Sequence, residues 1–137
     1  MQTQFTIATR GAGLYEVTDE VAGWLSGGGD GLVTLFLRHT SCSLLIQENA
    51  DPSVQRDLAA FLGRLAPPAD DPAMRYLTHR AEGPDDMPAH IKAALLPVSL
   101  SIPVLAGRMA LGTWQGIYLW EHRAAPHRRQ IAAHFAG

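Results

Sequence analysis

The sequence predicts an α+β fold of β-sandwich-like, mostly antiparallel sheets with two main helices packed to one side. Three observations lead there. Six or so apolar segments carry strand patterning, two stretches carry helical caps and stops, and the two kinds do not alternate as βαβ units do. The 137 residues are 47% hydrophobic and 18% charged, an ordinary globular composition. No repeat, low-complexity tract or linker interrupts them, so a single domain over 1–137 is expected.

The elements follow in chain order. QFTIAT (4–9) alternates Phe5 and Ile7 with polar neighbours, as a half-buried strand does. VTDEVAGWLSGGG (17–29) reads as a short helix: Thr18 can cap it, Asp19 and Glu20 suit its positive end, and Gly27–Gly29 stop it. LVTLFLRHT (32–40) has the β-branched and aromatic content of a buried strand, with Val33, Leu35, Leu37 and His39 on one face. SLLIQEN (43–49) reads as a short continuation of it.

DPSVQRDLAAFLGRLAPP (51–68) is the clearest helix, with Asp51 as cap, Pro52 at the first helical position and Pro67–Pro68 as terminators. Its Val54, Leu58, Phe61, Leu62 and Leu65 form one stripe expected to face a core. Residues 69–90 read as a long connection, with a short strand near 76–79 and a brief helix, HIKAALL, after Pro88. VSLSIPVL (98–105) puts Val98, Leu100, Ile102 and Val104 on one face, and Pro103 asks for an edge or a bulge. RMALGTWQGIYLWEHR (108–123) reads as a strand pair or one strand bent at Gly112. RRQIAAHFA (128–136) closes the chain with Ile131, Ala133 and Phe135 inward.

Composition also excludes several functions. A formal net charge of −2 gives no phosphate-binding surplus, so nucleic acid is not an expected partner. No apolar run approaches the roughly 20 residues of a membrane span and no signal peptide is visible, so a soluble cytoplasmic protein is expected. The single cysteine, Cys42, rules out an intramolecular disulfide and a multi-cysteine zinc site. Lys92 is the only lysine, against ten arginines. No phosphate loop, dinucleotide motif, nucleophile elbow or HExxH is present.

The candidate chemistry lies in histidines and carboxylates. HRAEGPDDMPAH (79–90) sets His79, Asp86 and His90 around two prolines. The stretch is either a solvated acidic turn or a stiffened loop presenting a divalent-ion ligand set, zinc or magnesium. In TWQGIYLWE (113–121) both strand faces are largely apolar, which suggests burial inside the chain or between subunits. Gln115 and Glu121 are then polar groups that need partners or sit at strand ends in water. His39 precedes TSCS, and a His39–Cys42 nucleophile competes with the simpler reading of Cys42 as packing.

HTSCSLLIQENADPSV (39–54), YLTHRAEGPDDMPAHIKAALL (76–96) and LGTWQGIYLWEHR (111–123), in that order, closely resemble the YjbQ-type family, also labelled secondary thiamine-phosphate synthase. The resemblance covers residues 5 to 134. It implies a homotrimeric α+β domain with a polar pocket built from His39, His79, Asp86, His90, Gln115 and Glu121. It further implies an enzyme that couples hydroxymethylpyrimidine diphosphate to thiazole phosphate and releases pyrophosphate. The small phosphorylated metabolite would meet a metal on His79, Asp86 and His90, with Arg38, Arg108 or Arg123 on its phosphates. A non-catalytic trimeric module binding a metal or phosphate metabolite, and a metal-assisted hydrolase with Glu121 or His39 as base, are the competing readings.

Overall fold

The computed structural model describes residues 1–137. Eight strands form two wholly antiparallel sheets. They are β1 (Gln2–Thr9), β2 (Gly13–Glu16), β3 (Gly31–Leu37), β4 (Cys42–Glu48), β5 (Ser99–Leu105), β6 (Arg108–Met109), β7 (Gln115–Glu121) and β8 (His127–Ala136). The larger sheet has the order β1-β8-β3-β5-β6 and the smaller β2-β7-β4. The helices are α1 (Thr18–Leu25), α2 (Pro52–Leu65) and α3 (Asp86–Leu95), with a 3₁₀ turn at Pro72–Met74. None of them is long and apolar enough to cross a membrane.

The core lies between the sheets. Val33, Leu35 and Leu37 of β3 and Ile131, Ala133 and Phe135 of β8 meet Cys42 and Leu44 of β4 and Ile117 and Leu119 of β7. Val21 and Leu25 of α1 enter the same core. Alternation sends every second residue there, as the period of a strand requires. The β7 strand is buried from Gly116 to Glu121. Ile117 and Leu119 face the larger sheet, whereas Tyr118, Trp120 and His122 face α2 and α3, where Gln55 donates to the Tyr118 hydroxyl at 3.2 Å. The chain's own elements therefore cover both faces of GIYLW (116–120), whereas Thr113, Trp114 and Gln115 before it are exposed.

Several expectations are corrected. The chain changes sheets at 38–41, so β4 is a separate strand and not a continuation of β3. The four-residue strand β2 is additional, being too short to display a period in the sequence. Residues 76–79 form no strand. The third helix starts at Asp86, ahead of Pro88, because the first turn of a helix needs no intrahelical N–H donors and so tolerates proline. In α2 only Leu62 is buried, while Phe61 and Leu65 are exposed, so most of its stripe stays outside the core between the sheets. Asp51 caps it as expected, accepting from the Ser53 N–H at 2.9 Å. Pro103 lies on β5, whose outer neighbour β6 is two residues long, so it has close to an edge position.

One buried ion pair joins the two sheets. Glu121 of β7 has no exposure and Arg129 of β8 has 4%. Arg129 Nε donates to Glu121 Oε1 at 2.8 Å, its Nη2 donates to Oε2, and the Thr9 hydroxyl donates to Oε1 at 2.7 Å. Nη2 also donates to Ser41 Oγ at 2.9 Å. Burial pushes the Glu121 carboxyl up, but Arg129, Thr9 and the Arg123 N–H hold it below its ordinary value. Removing one partner of such a pair strands a buried charge. Arg129→Met is expected to lower unfolding free energy by about 3–5 kcal/mol, and Glu121→Leu with Arg129→Met to recover most of the loss. Urea denaturation of the three proteins checks this.

Candidate functional site

The site is assembled at the N-terminus of α3. With the helix beginning at Asp86, Asp86 and His90 are one turn apart and share a face. The loop before it folds back, bringing His79 Nε2 to 2.6 Å from Asp86 Oδ2 and 3.4 Å from Glu82 Oε2. His90 Nε2 lies 3.3 Å from the same Oδ2. The four ligating atoms of His79, Glu82, Asp86 and His90 fall within 4.8 Å of one another.

A second layer fixes these groups. Arg123, just past β7, donates from Nη1 to Asp86 Oδ1 at 2.8 Å and from Nε to Asp85 Oδ2 at 3.0 Å. Its Nη2 donates to the Glu82 carbonyl at 3.0 Å, and the Ala124 N–H donates to Asp85 at 2.8 Å. His90 Nδ1 meets the Thr40 carbonyl at 2.9 Å. A carbonyl only accepts, so Nδ1 carries the proton and the Nε2 lone pair is left for the cluster. Burial pushes the carboxyls of Asp85 and Asp86 up. Arg123 and the Ala124 N–H at Asp85, and His79, Glu82, Arg123 and His90 at Asp86, more than offset it and hold both below their ordinary values. The hydrogen bond to Asp86 raises the basicity of His79.

Beside the cluster a pocket of about 600 Å³ is lined by Phe36, Arg38, His39, Thr40, His90 and Val98, among others. His90 belongs to both. His39 accepts the Gln130 N–H at Nε2, at 2.8 Å, so its proton sits on Nδ1. Burial and then the charge of Arg129 lower its basicity. His39 is thus a neutral donor on the pocket wall and not a free base. Arg38 donates to Gln4 at 2.8 Å through Nη1 and is otherwise exposed.

The structure brings His79, Asp86 and His90 together and sets His39 and Arg38 on the adjoining wall. Gln115 is not among them. It begins β7, six residues or roughly 20 Å of strand from Glu121, and accepts the Gly112 N–H. Glu121 faces the core in its ion pair, which leaves no lone pair or access for general-base work. Arg108 lies on β6, at the other end of β3 and about 25 Å of strand from His39. Arg123 spends its guanidinium on the carboxylates and so braces the cluster. Sequence reasoning misses Glu82 and Arg129. Arg129 is legible only as a charge in phase with Ile131, Ala133 and Phe135, a position that demands a buried partner.

The family model for UPF0047, YjbQ-like proteins, matches residues 3–137. The chain belongs to the YjbQ-like UPF0047 family. A UPF0047 protein of Synechocystis is 49% identical, over 99% of this chain and 91% of its own length. UPF0047 protein YjbQ of Salmonella typhimurium is 43% identical, over 99% of this chain and 97% of its own. A conserved hypothetical protein of Thermus thermophilus has a solved structure with a TM-score of 0.85 and 34% identity, covering 98% of this chain and 99% of that one. These relatives settle the family and fold of this YjbQ-like chain, and their names state no reaction.

Cys42 is fully buried in the core, and burial pushes its thiol up to about 12. Cys42→Ala is therefore expected to leave any activity within about tenfold, or 1.4 kcal/mol of barrier, and the native thiol to resist alkylation until the protein unfolds. His122 is 5% exposed, and burial, with the nearby charge of Lys92, lowers it from 6.5 to about 4. Between those values the unfolded chain takes up a proton that the folded chain refuses. Its stabilising contribution is complete above pH 6.5 and lost on acidification toward pH 4, about 3 kcal/mol in all. His122→Gln should flatten stability against pH across that window in chemical denaturation.

Proposed function

We propose that His79, Glu82, Asp86 and His90 hold a divalent ion and that the adjoining pocket takes a small phosphorylated metabolite. One observation carries this reading: four ligating atoms converge within 4.8 Å, each already oriented by a partner outside the group or by its neighbour. The donor set fits. Two imidazoles and two carboxylates suit zinc, whereas magnesium prefers oxygen ligands and retained water. The Thr40 carbonyl on His90 and Arg123 on Asp86 are the outer contacts that fix such ligands.

A bound ion would polarise a phosphate oxygen and stabilise a departing phosphate. The protein's own groups act around it. His39 offers Nδ1–H to an acceptor on the ligand. The free N–H groups of Arg38 suit a phosphate, and Phe36, Leu37, Ala93 and Val98 give the apolar body of the ligand an apolar wall. The reaction implied by the family resemblance is of this class. In it the bond from the pyrimidine methylene carbon to the diphosphate oxygen breaks, a bond to the thiazole nitrogen forms, and pyrophosphate leaves. We propose thiamine-phosphate-synthase-like transfer as the chemistry of this pocket. The expectation of Glu121 as a base is dropped for the reason of its burial, and with it the strongest support for a hydrolase.

The chain, we further propose, assembles as a homotrimer. The outer face of the larger sheet exposes Leu32, Phe36 and Leu105 at 43%, 49% and 61%. An uncovered apolar face of this kind supports self-association.

Metal analysis of the purified protein is expected to find zinc, and His90→Ala to lower the affinity at least about 100-fold. Equal metal in the variant would reject the cluster as a metal site. Pyrophosphate release from the two thiamine precursors, measured in the same proteins, tests the chemistry separately: metal without release leaves a binding module. Sedimentation at micromolar concentration should give three times the 14.8 kDa chain mass, and a monomer rejects the trimer.

A further inference from the structure

On the far side of α3 lies a smaller cavity, of about 160 Å³, between α2, α3, β7 and the start of β2. Its walls include Ala59 and Leu62, Lys92, Trp120 and His122, and Ala12 and Gly13. Lys92 follows His90 by two residues, about 200° around the helix, so the two side chains leave α3 on different faces. This cavity is separate from the pocket beside His39, which shares none of its residues.

Apart from Glu121, the polar side chains that line it are donors. Lys92, the only lysine, is half-buried and makes neither a salt bridge nor a side-chain hydrogen bond. Asp85, the carboxylate whose charge acts on it, gives its Oδ2 to Arg123 and Ala124. His122, 5% exposed, has Nε2 at 2.9 Å from Ser43 Oγ. Ser43 is fully buried with no other partner, so accepting from Nε2 would leave its own hydroxyl proton buried and unpaired, and donation from Ser43 to Nε2 is the arrangement that avoids this cost. The imidazole proton is then on Nδ1, which has no acceptor in the protein. The indole N–H of Trp120, 6% exposed, has none either.

No fully enclosed side-chain donor in this protein lacks a partner. The unpaired Nδ1–H and indole N–H must therefore retain some accessible surface, and both residues border this cavity. Glu121 also borders the space, but its carboxylate is on the opposite face of β7, held by Arg129 and Thr9. One ammonium and two N–H donors, without a competing acceptor, describe a receptor for a negative oxygen group. At a liquid share of about 30 Å³ per water the cavity holds about five waters, enough for an inorganic oxyanion or a short carboxylate and too little for a nucleotide.

We propose that Lys92, His122 and Trp120 form a second ligand site, one that binds a small oxyanion of the size of inorganic phosphate. The site does not depend on the metal cluster, although both stand on α3.

Calorimetric titration of chelator-treated full-length protein with inorganic phosphate tests it, with acetate as the carboxylate arm. One phosphate per chain is expected at concentrations up to about 10 mM, and Lys92→Met should weaken it about tenfold or more. Lys92 is only half-buried, so that variant should fold, and its denaturation midpoint checks this. In parallel, addition of phosphate should shift the indole ¹H–¹⁵N resonance assigned to Trp120 through Trp120→Phe. His90→Ala should bind phosphate as the parent does. Stronger binding of acetate than phosphate would assign the site to carboxylates within the same oxyanion chemistry. The proposal is overturned if neither anion binds, if Lys92→Met binds as the parent does, or if His90→Ala or Arg38→Ala abolishes binding.

Discussion

A carboxylate with no exposure stays ionised only if the protein surrounds it with donors, and Glu121 has them from three directions. Arg129 comes from the opposite sheet, Thr9 from the edge strand beside it, and the Arg123 N–H from two residues on. The pair is thus a fixed point between sheets that otherwise meet through non-directional apolar contact. Arg129 also reaches Ser41, in the segment where the chain crosses between sheets. That segment carries Arg38, His39 and Thr40, so the side of the pocket opposite α3 is anchored to the same ion pair.

From Glu121 the constraint passes to the cluster through Arg123. Its guanidinium, next but one in the chain, ties the loop carboxylates Asp85 and Asp86 to the end of β7. Thr40 completes the circuit by holding His90. The cluster takes Asp86 and His90 from a helix turn and His79 and Glu82 from the loop before it, and Arg123 and Thr40, on segments tied to the core, brace that arrangement. The helix that presents His90 on one side presents Lys92 on another. One short helix therefore separates an acidic, imidazole-rich surface from a cavity lined by Lys92, Trp120 and His122.

Much of this was legible in the residues. The β3, β5 and β8 strands follow from alternation of Val33, Leu35 and Leu37, of Ile102 and Val104, and of Ile131, Ala133 and Phe135, because period 2 sorts side chains between core and solvent. Asp51 and Pro52 announce α2 because capping is chemistry local to a few residues. The grouping of His79, Asp86 and His90 was readable because all three sit within twelve residues. Where reading stopped short, the reason was a boundary. With α3 started after Pro88, the Asp86–His90 helical spacing is invisible, and so is the way Glu82 folds back onto it.

Composition, strand period and caps thus determined the α+β class and the candidate ligands, since each depends on neighbours along the chain. The tertiary structure alone decided which polar residues share a site. Glu121 and Gln115 lie on one strand, yet one is locked to Arg129 across the core and the other stands exposed at the far end. Arg123 went to Asp85 and Asp86, 38 and 37 residues away, and Arg108 to the opposite end of the sheet. Charges pair with whatever the packing of two sheets brings within a few ångströms, and no local pattern encodes that distance.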